Sequence, residues 1–473
     1  MLITLTAPAF AETWYIENGD ITVKASGTEG KNTVSQGNKK DVEDTNTIIT
    51  GTSNENTVTI DTSKGNVDVT FDDLNIDTSS RNKAAVSVTG SGNTTIKLDG
   101  DNALKSDTYR SGIYSNSSGS LTISGGENDS LTAQGGSGAN GISSSGSLTI
   151  SGGTVTANGD DGGSGIYSRG GVTISGGSTV TANGDDGTIS GGDGICSSGG
   201  VTISGGSTVT ANGGNGGSIG GGSGIYSNGS VTISGGTVNA NGGYGNGGYG
   251  GYGIRSDGGG VTISGGTVNT TGGNGNGGNG IINNGIISND IDLSGSLELT
   301  AKAGSPNGKA LSQAGHELDL DTIKDKLGPG AKVTVTDADG KVNQVPIPRP
   351  VEPEEPVIPE ESSSSSDGGS AAPSAPASPL PGLTVTDKSG AVISYTSTQS
   401  GNTLTVCVGR FTASLRASLS ALRQLRAEGI ETITFQTVLC STTLSVDELL
   451  AMGGEDAEAV LTHRFTDSSL TVG

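Results

Sequence analysis

The sequence predicts an all-β fold: a three-sided, right-handed parallel β-helix (β-solenoid), then a Pro/Ser-rich linker and a small C-terminal α+β domain. Three observations carry this expectation. First, one pattern recurs seven times between Gly112 and Ala301, most clearly as GIYSRGGVTISGGSTVTANG (Gly165 to Gly184) and GIYSNGSVTISGGTVNANG (Gly224 to Gly242). Second, its central apolar residues, Ile123, Ile150, Ile174, Ile203, Ile233, Ile263 and Leu293, are spaced by 27, 24, 29, 30, 30 and 30 residues. Self-similarity at such a period marks a repeat architecture whose units bury their apolar faces on one another. Third, each copy holds three short runs that alternate with period two and end at glycine-rich corners, and none carries a helical pattern. Three strands per copy describe one coil, with each strand paired to its counterpart ~4.8 Å away in the next. The right hand follows from the preference of parallel crossovers.

Taken in order, Met1 to Ala11 (MLITLTAPAFA) resembles the end of a signal peptide without its basic region, which places the protein outside the cell or on its surface. Residues 12–344 form the expected solenoid. In residues 12–107, runs such as NTVTIDT (Asn56 to Thr62) and TTIKLDG (Thr94 to Gly100) read as degenerate early coils, with Trp14, Tyr15 and Ile16 as candidates for capping the first one. Residues 108–301 hold the repeat coils. Residues 302–344, including His316 to Asp337, are expected to close the other end. Residues 345–381 are dominated by Pro, Ser and Glu, the composition of a spacer. Residues 382–473 read as a separate module with strands LTVTD, AVISYTS, TLTVCVG and TITFQT. A helix is expected over Phe411 to Glu428, and Ser445 with Glu448 makes a capping box for a second. Docking to a cell surface or another protein is one role for this module; an inert folded tail is another.

Within the coils, valines 172, 201, 231 and 261, and 155, 180, 209, 238 and 268, fall into inward stacks. Asn158, Asn183, Asn212 and Asn241 occupy one corner of consecutive coils, where stacked amides can bond one another. The serine after each central apolar residue (Ser124 to Ser294) is expected to form a turn-stabilising stack.

The 473 residues include 85 glycines at fixed repeat positions and carry a formal charge of -23. That balance argues against nucleic acid and anionic membranes as partners. It suits solubility outside the cell and divalent cations. No stretch is apolar enough to span a bilayer. Cys407 and Cys440 are placed to pair within the last module, leaving Cys196 over, and neither His316 nor His463 belongs to a zinc-like spacing.

The position after each Gly-Ile varies: Tyr114, Ser143, Tyr167, Cys196, Tyr226, Arg255, Ile282. With the isoleucine inward, this residue points out. Tyrosines on alternate coils then lie ~10 Å apart, near the repeat of a disaccharide. Such a row can stack on sugar faces, or simply pack across strands. One corner loop is aromatic, GGYGNGGYGGYG (Gly242 to Gly253), and sets Tyr244, Tyr249 and Tyr252 beside Arg255 and near Tyr226. Tyrosine supplies a flat amphipathic surface and arginine a fork for a carboxylate. A low-complexity loop with no ligand is the plainer account. Asp160, Asp161, Asp185 and Asp186 occupy equivalent positions in adjacent coils, with Asp193 close by. Ca2+ takes such oxygen ligands, and solvated turn residues take the same form.

The order TGTSNENTVTIDT, VDVTFDDLNIDTSS, AAVSVTGSGNTTIKLDGDNAL (from Gly51 to Leu104), followed by SLTISGG coils, resembles the secreted bacterial β-helix family of carbohydrate-binding, adhesin-like proteins that bind pectin-type acidic polysaccharides. The likeness covers roughly Glu12 to Thr300. It implies a non-catalytic polysaccharide binder, with Ca2+ as the cofactor to look for. The alternatives are a polysaccharide lyase-like β-helix enzyme, an ice-binding surface built on the Thr-x-Thr rows 154/156, 179/181 and 208/210, and a structural surface stalk. A lyase needs a base among its acidic ligands. Arg169 and Arg255 lie several coils apart, and neither sits among the aspartate pairs.

Overall fold

The computed structural model describes residues 11–345, except 29, 277, 284–289 and 329, and residues 383–472, except 388–391, 394, 401, 409, 411, 438–440, 453–457 and 465–466. The leader at 1–10, the spacer from 346 onward and Cys440, hence its pairing with Cys407, lie outside the described residues. The chain divides into two compact units, Met1–Glu354 and Glu355–Gly473.

The first unit is a parallel β-solenoid of about 11 turns. Its first wall stacks the Gly-Ile strands in register: Ile113–Ser115, Ile142–Ser144, Ile166–Ser168, Ile195–Ser197, Ile225–Ser227, Ile254–Ser256, Ile281–Asn283 and Leu311–Gln313. The second stacks the Val-Thr-Ile strands, such as Val172–Ile174 on Val201–Ile203. The third stacks the Thr-Val-Thr-Ala-Asn strands, such as Thr179–Asn183 on Thr208–Asn212. Ser178 and Ser207 are extra corner residues, and there the chain turns on two glycines of positive φ, Gly176 and Gly177, or Gly205 and Gly206. The next coils lack that residue. Their second and third strands run through the corner as Val231–Asn241 and Val261–Thr271, joining two walls into one sheet.

Inside, Ile123, Ile150, Ile174, Ile203, Ile233, Ile263 and Leu293 form one fully buried column. The valine stacks fill the rest of a narrow core. Burying each such side chain contributes ~1.5–3 kcal/mol, so depth in many thin layers replaces the aromatic bulk of a globular core. The serines expected to stack at the turn are distinct from a second, buried serine column. Ser124, Ser151, Ser175 and Ser204 are half-buried at the corner. The serine two residues after each Gly-Ile isoleucine shares its inward parity instead: Ser168, Ser197, Ser227 and Ser256 each donate to a glycine carbonyl of the preceding coil at 2.7–2.9 Å. The asparagine ladder is as expected: Asn183, Asn212 and Asn241 donate to Asn158, Asn183 and Asn212 at 2.8–2.9 Å.

Both solenoid ends are closed by antiparallel additions. At the start, Asn32–Gln36 and Lys39–Asp44 fold back on Ile21–Ala25. Trp14 and Ile16 are buried there, with Trp14 Nε1 donating to Asp44 at 2.8 Å, while Tyr15 points to solvent. At the far end, His316–Glu317 folds back on Leu311–Gln313, and a 3-10 helix, Leu320–Lys326, buries Ile323.

The second unit has a five-stranded antiparallel sheet and a four-stranded mixed sheet. The helix expected over Phe411 to Glu428 begins later. Thr412–Ser418 is a strand, with Ala413, Leu415 and Ala417 inward, paired on both sides with Leu383–Thr386 and Glu458–Arg464. Two pairing partners outweigh the helical spacing of Leu415 with Leu419 and Leu422. The helix is Leu419–Ala427, and Ser418 caps it by accepting from Ala421 N at 3.2 Å. Ser445 caps the second helix, Val446–Met452, by accepting from Glu448 N at 3.4 Å. His463 is fully buried, its two ring nitrogens 3.2 and 3.0 Å from the hydroxyls of Thr437 and Thr442.

Candidate functional site

The corner loops between the third and first walls are ordered as a ladder of their own. Gly187, Gly216 and Gly245 bridge from coil to coil, as do Ser190, Gly220 and Tyr249. Glycine is required here by close approach. A methyl group on Gly163, Gly192, Gly222 or Gly251 would stand 1.9 Å from the carbonyl oxygen of Ala139, Gly163, Gly192 or Gly222 respectively. A second column repeats this: Gly214, Gly243, Gly273 and Gly304 point at Asp185, Gly214, Gly243 and Gly273 at 1.9–2.0 Å. A Cα–H therefore faces a carbonyl in each layer, a recurring weak contact that only a residue without Cβ permits. The low-complexity sequence is thus a lattice, and whatever it displays is fixed in place.

What it displays is a groove of about 330 Å3 lined by Tyr226, Tyr249, Tyr252, Arg255, Asp193 and Ile219 over a glycine floor. Tyr226 and Arg255 are register partners on adjacent first-wall strands. The guanidinium lies 5.1 Å from the Tyr226 ring centre and 5.2 Å from that of Tyr252, within cation–π range. Its fork is closed on Asp257: Nε donates to Oδ1 at 2.8 Å and Nη2 to Oδ2 at 2.7 Å. Burial opposes the arginine charge, but Asp257 holds its pKa above the usual value. Tyr226 donates to Asn228, and to Asp257 at 3.1 Å. Burial, then the Asp257 charge, pushes its hydroxyl up to about 12.

Asp193 is half-buried in the groove wall and accepts from Ser223 N at 2.6 Å, and the Cys196 thiol hydrogen-bonds the same carboxylate. Desolvation raises Asp193 to about 6, and burial followed by the Asp193 charge raises Cys196 to about 12.

The structure thus brings together four of the five expected patch residues. Tyr244 stands outside the groove lining, half exposed, its backbone N–H held by Asn215 Oδ1 at 2.8 Å. Tyr114 and Tyr167 lie on the same first-wall row, separated by Ser143 and further along the stack. Arg255, expected to fork onto a ligand carboxylate, has two of its donors on Asp257. Three of the aspartates expected to gather a cation accept hydrogen bonds from neighbouring layers. Asp185 accepts from Asp161 N at 2.9 Å, Asp186 from Asn215 N at 2.7 Å, and Asp161 from Ser137 Oγ at 3.1 Å. Among the described residues, no group of three or more His, Cys, Asp or Glu side chains comes together as metal ligands.

Sequence reading missed Asp257, Ile189 and Ile219. Asp257 follows Arg255 by two, so both face one side of the wall; that opposite-charge pair was a usable signal. It also missed a larger open groove of about 860 Å3 along the asparagine ladder, lined by Lys105, Asp107, Gln134, Asn158, Asn183 and other polar residues, with no aromatic side chain.

Comparison with known proteins agrees with the fold. A family model described as beta helix repeat matches residues 148–166 and 231–252. Neither a curated protein nor a solved structure gave a match. Repeat and topology together define the chain as a parallel β-helix repeat protein. No helix among the described residues is long and apolar enough to cross a membrane.

Proposed function

We propose that this chain is a non-catalytic carbohydrate-binding, adhesin-like β-solenoid, secreted from or displayed on a bacterial cell. One observation carries the reading: three tyrosine rings and an arginine from successive layers line one groove on a rigid glycine lattice. A spacer rod needs no such convergence, because polar and glycine residues suffice for corner loops. Tyrosine rings supply the contact as large, flat, amphipathic surfaces against sugar faces. The only cation lining the groove among the described residues is paired with Asp257, which suits recognition better than proton abstraction. The C-terminal unit is proposed to dock the rod to the cell surface or to another protein.

The test is glycan binding by the intact chain, against a variant with Tyr244, Tyr249 and Tyr252 all replaced by serine. Circular dichroism and melting would establish that the solenoid is retained, and a chelator arm would test for a cation. Loss of binding with an intact fold is the expected result. No binding by the parent to any neutral or acidic polysaccharide refutes the reading and favours the stalk.

A further inference from the structure

We infer that the groove takes a neutral, hydroxyl-rich glycan strand lying along the solenoid axis, and discriminates against polyuronates. The inference rests on the carbohydrate-binding reading above and narrows its ligand.

Charge is the first argument. Among the described residues, Arg255 and Asp193 are the only charged side chains lining the groove. Asp257 already neutralises the arginine through two hydrogen bonds. With Asp193 ionised, the Arg255–Asp257–Asp193 set carries one net negative charge, on a chain of formal charge -23. A uronate carboxylate entering here meets Asp193 and finds the guanidinium fork closed. To bind it bidentately, Arg255 would have to leave a half-buried partner, and an unpaired charge in such a site is costly. A sugar hydroxyl instead can donate to the Asp193 carboxylate and accept from Ser190, which also lines the groove.

The shape of the apolar surface is the second argument. Ile189 is 60% exposed, Ile219 63% and Tyr249 64%; the two isoleucines sit in loops otherwise made of Gly and polar residues, and Tyr249 in the aromatic loop. They belong to three successive layers, tied by Ile219 N to Ile189 O at 3.0 Å and Tyr249 N to Ile219 O at 3.2 Å. Two layer spacings give a ridge ~10 Å long, close to two linked pyranose rings. The ridge runs from layer to layer and shares Tyr249 and Ile219 with the groove, so a strand following it lies along the axis. A pyranose ring presents an apolar C–H face to such a ridge and hydroxyl edges to the groove's polar groups.

The experiment titrates the full chain with cellohexaose, chitohexaose and hexagalacturonate at pH 7.5 and low salt. The expected result is binding of at least one neutral hexasaccharide, with hexagalacturonate roughly tenfold weaker or more. Ile219→Ser and Tyr249→Ser should each weaken neutral binding by roughly fivefold or more, with melting unchanged. Asp193→Asn, or titration at pH 5 where Asp193 is largely protonated, should narrow the gap between neutral and acidic chains. Hexagalacturonate binding as tightly as the neutral chains would overturn this inference while leaving the carbohydrate reading intact. Neutral affinity indifferent to Ile219→Ser would overturn the axial path. Failure of every hexasaccharide to bind the parent would remove both.

Discussion

Replacing Gly222 by alanine tests the glycine lattice directly. The new Cβ would stand 1.9 Å from the Gly192 carbonyl oxygen and 2.4 Å from its carbon, where ordinary contact begins at 3.4 Å. The obstacle is backbone, so no rotamer relieves it, and the layers must part locally by about 1.5 Å, the difference of those two oxygen distances. Three hydrogen bonds of 2.8 Å hold that layer: Gly222 N to Gly214 O, Gly214 N to Gly192 O, and Gly243 N to Gly222 O. At about 1 kcal/mol each, stretching them costs about 3 kcal/mol, the upper end of ordinary overpacking at ~1–3 kcal/mol. Stiffening of the unfolded chain offsets ~0.4–1 kcal/mol, leaving a net loss of about 2–3 kcal/mol. The control is Gly235→Ala, where a methyl group meets nothing within 4 Å and φ is unremarkable for an L-residue. Urea unfolding should separate the two variants, and amide exchange should show faster exchange at Gly214 and Gly243. Equal stability of the two variants, within about 0.5 kcal/mol of each other, would refute the lattice argument.

Three further outcomes are expected. Asp193 has its pKa raised in the folded state, so the folded protein holds more protons than the unfolded one between the usual aspartate value, about 3.9, and about 6. Stability should therefore fall as pH rises through that window, and Asp193→Asn should flatten the slope in pH-dependent urea melts. His463 has its pKa lowered by burial, so its contribution is complete above the unfolded value of about 6.5 and is lost as pH falls below it; amide protection over Ala459 to Leu461, corrected for the slower intrinsic exchange in acid, should drop on acidification, and less so in His463→Gln. Asn183→Ala breaks two ladder bonds, to Asn158 and from Asn212, and should cost about 1–2 kcal/mol by thermal melting.

What was legible in the sequence follows the period. The isoleucine column recurs at one place in each repeat coil and the asparagine ladder at one place in four consecutive coils, so alignment alone put them in register. The buried serine column was not singled out, because two serine positions per coil have the same frequency, and only inward parity separates them. The strand Thr412–Ser418 was misread because helical spacing is a local signal, whereas its pairing partners lie about 30 residues before it and 45 after it in the chain. Asp257 fell outside the repeated pattern, and with it went the true state of Arg255. The glycine lattice was hidden for a different reason: its order depends on interlayer Cα–H contacts, which composition cannot distinguish from slackness.

The 30-residue steps from Ile203 to Ile233, Ile263 and Leu293 have a consequence for length. The surface a coil presents upward matches the one it presents downward, valine on valine and threonine on threonine. Removing residues 204–233 would bring Ile203 onto Ser234, the same junction found at every other turn, and shorten the rod by one ~4.8 Å rise. Copy number is therefore an adjustable dimension of this molecule. Duplication or excision within the repeated DNA resets reach without designing a new interface, while a one-residue insertion inside a strand, unlike one at a corner, turns that strand's inward side chains to the other face.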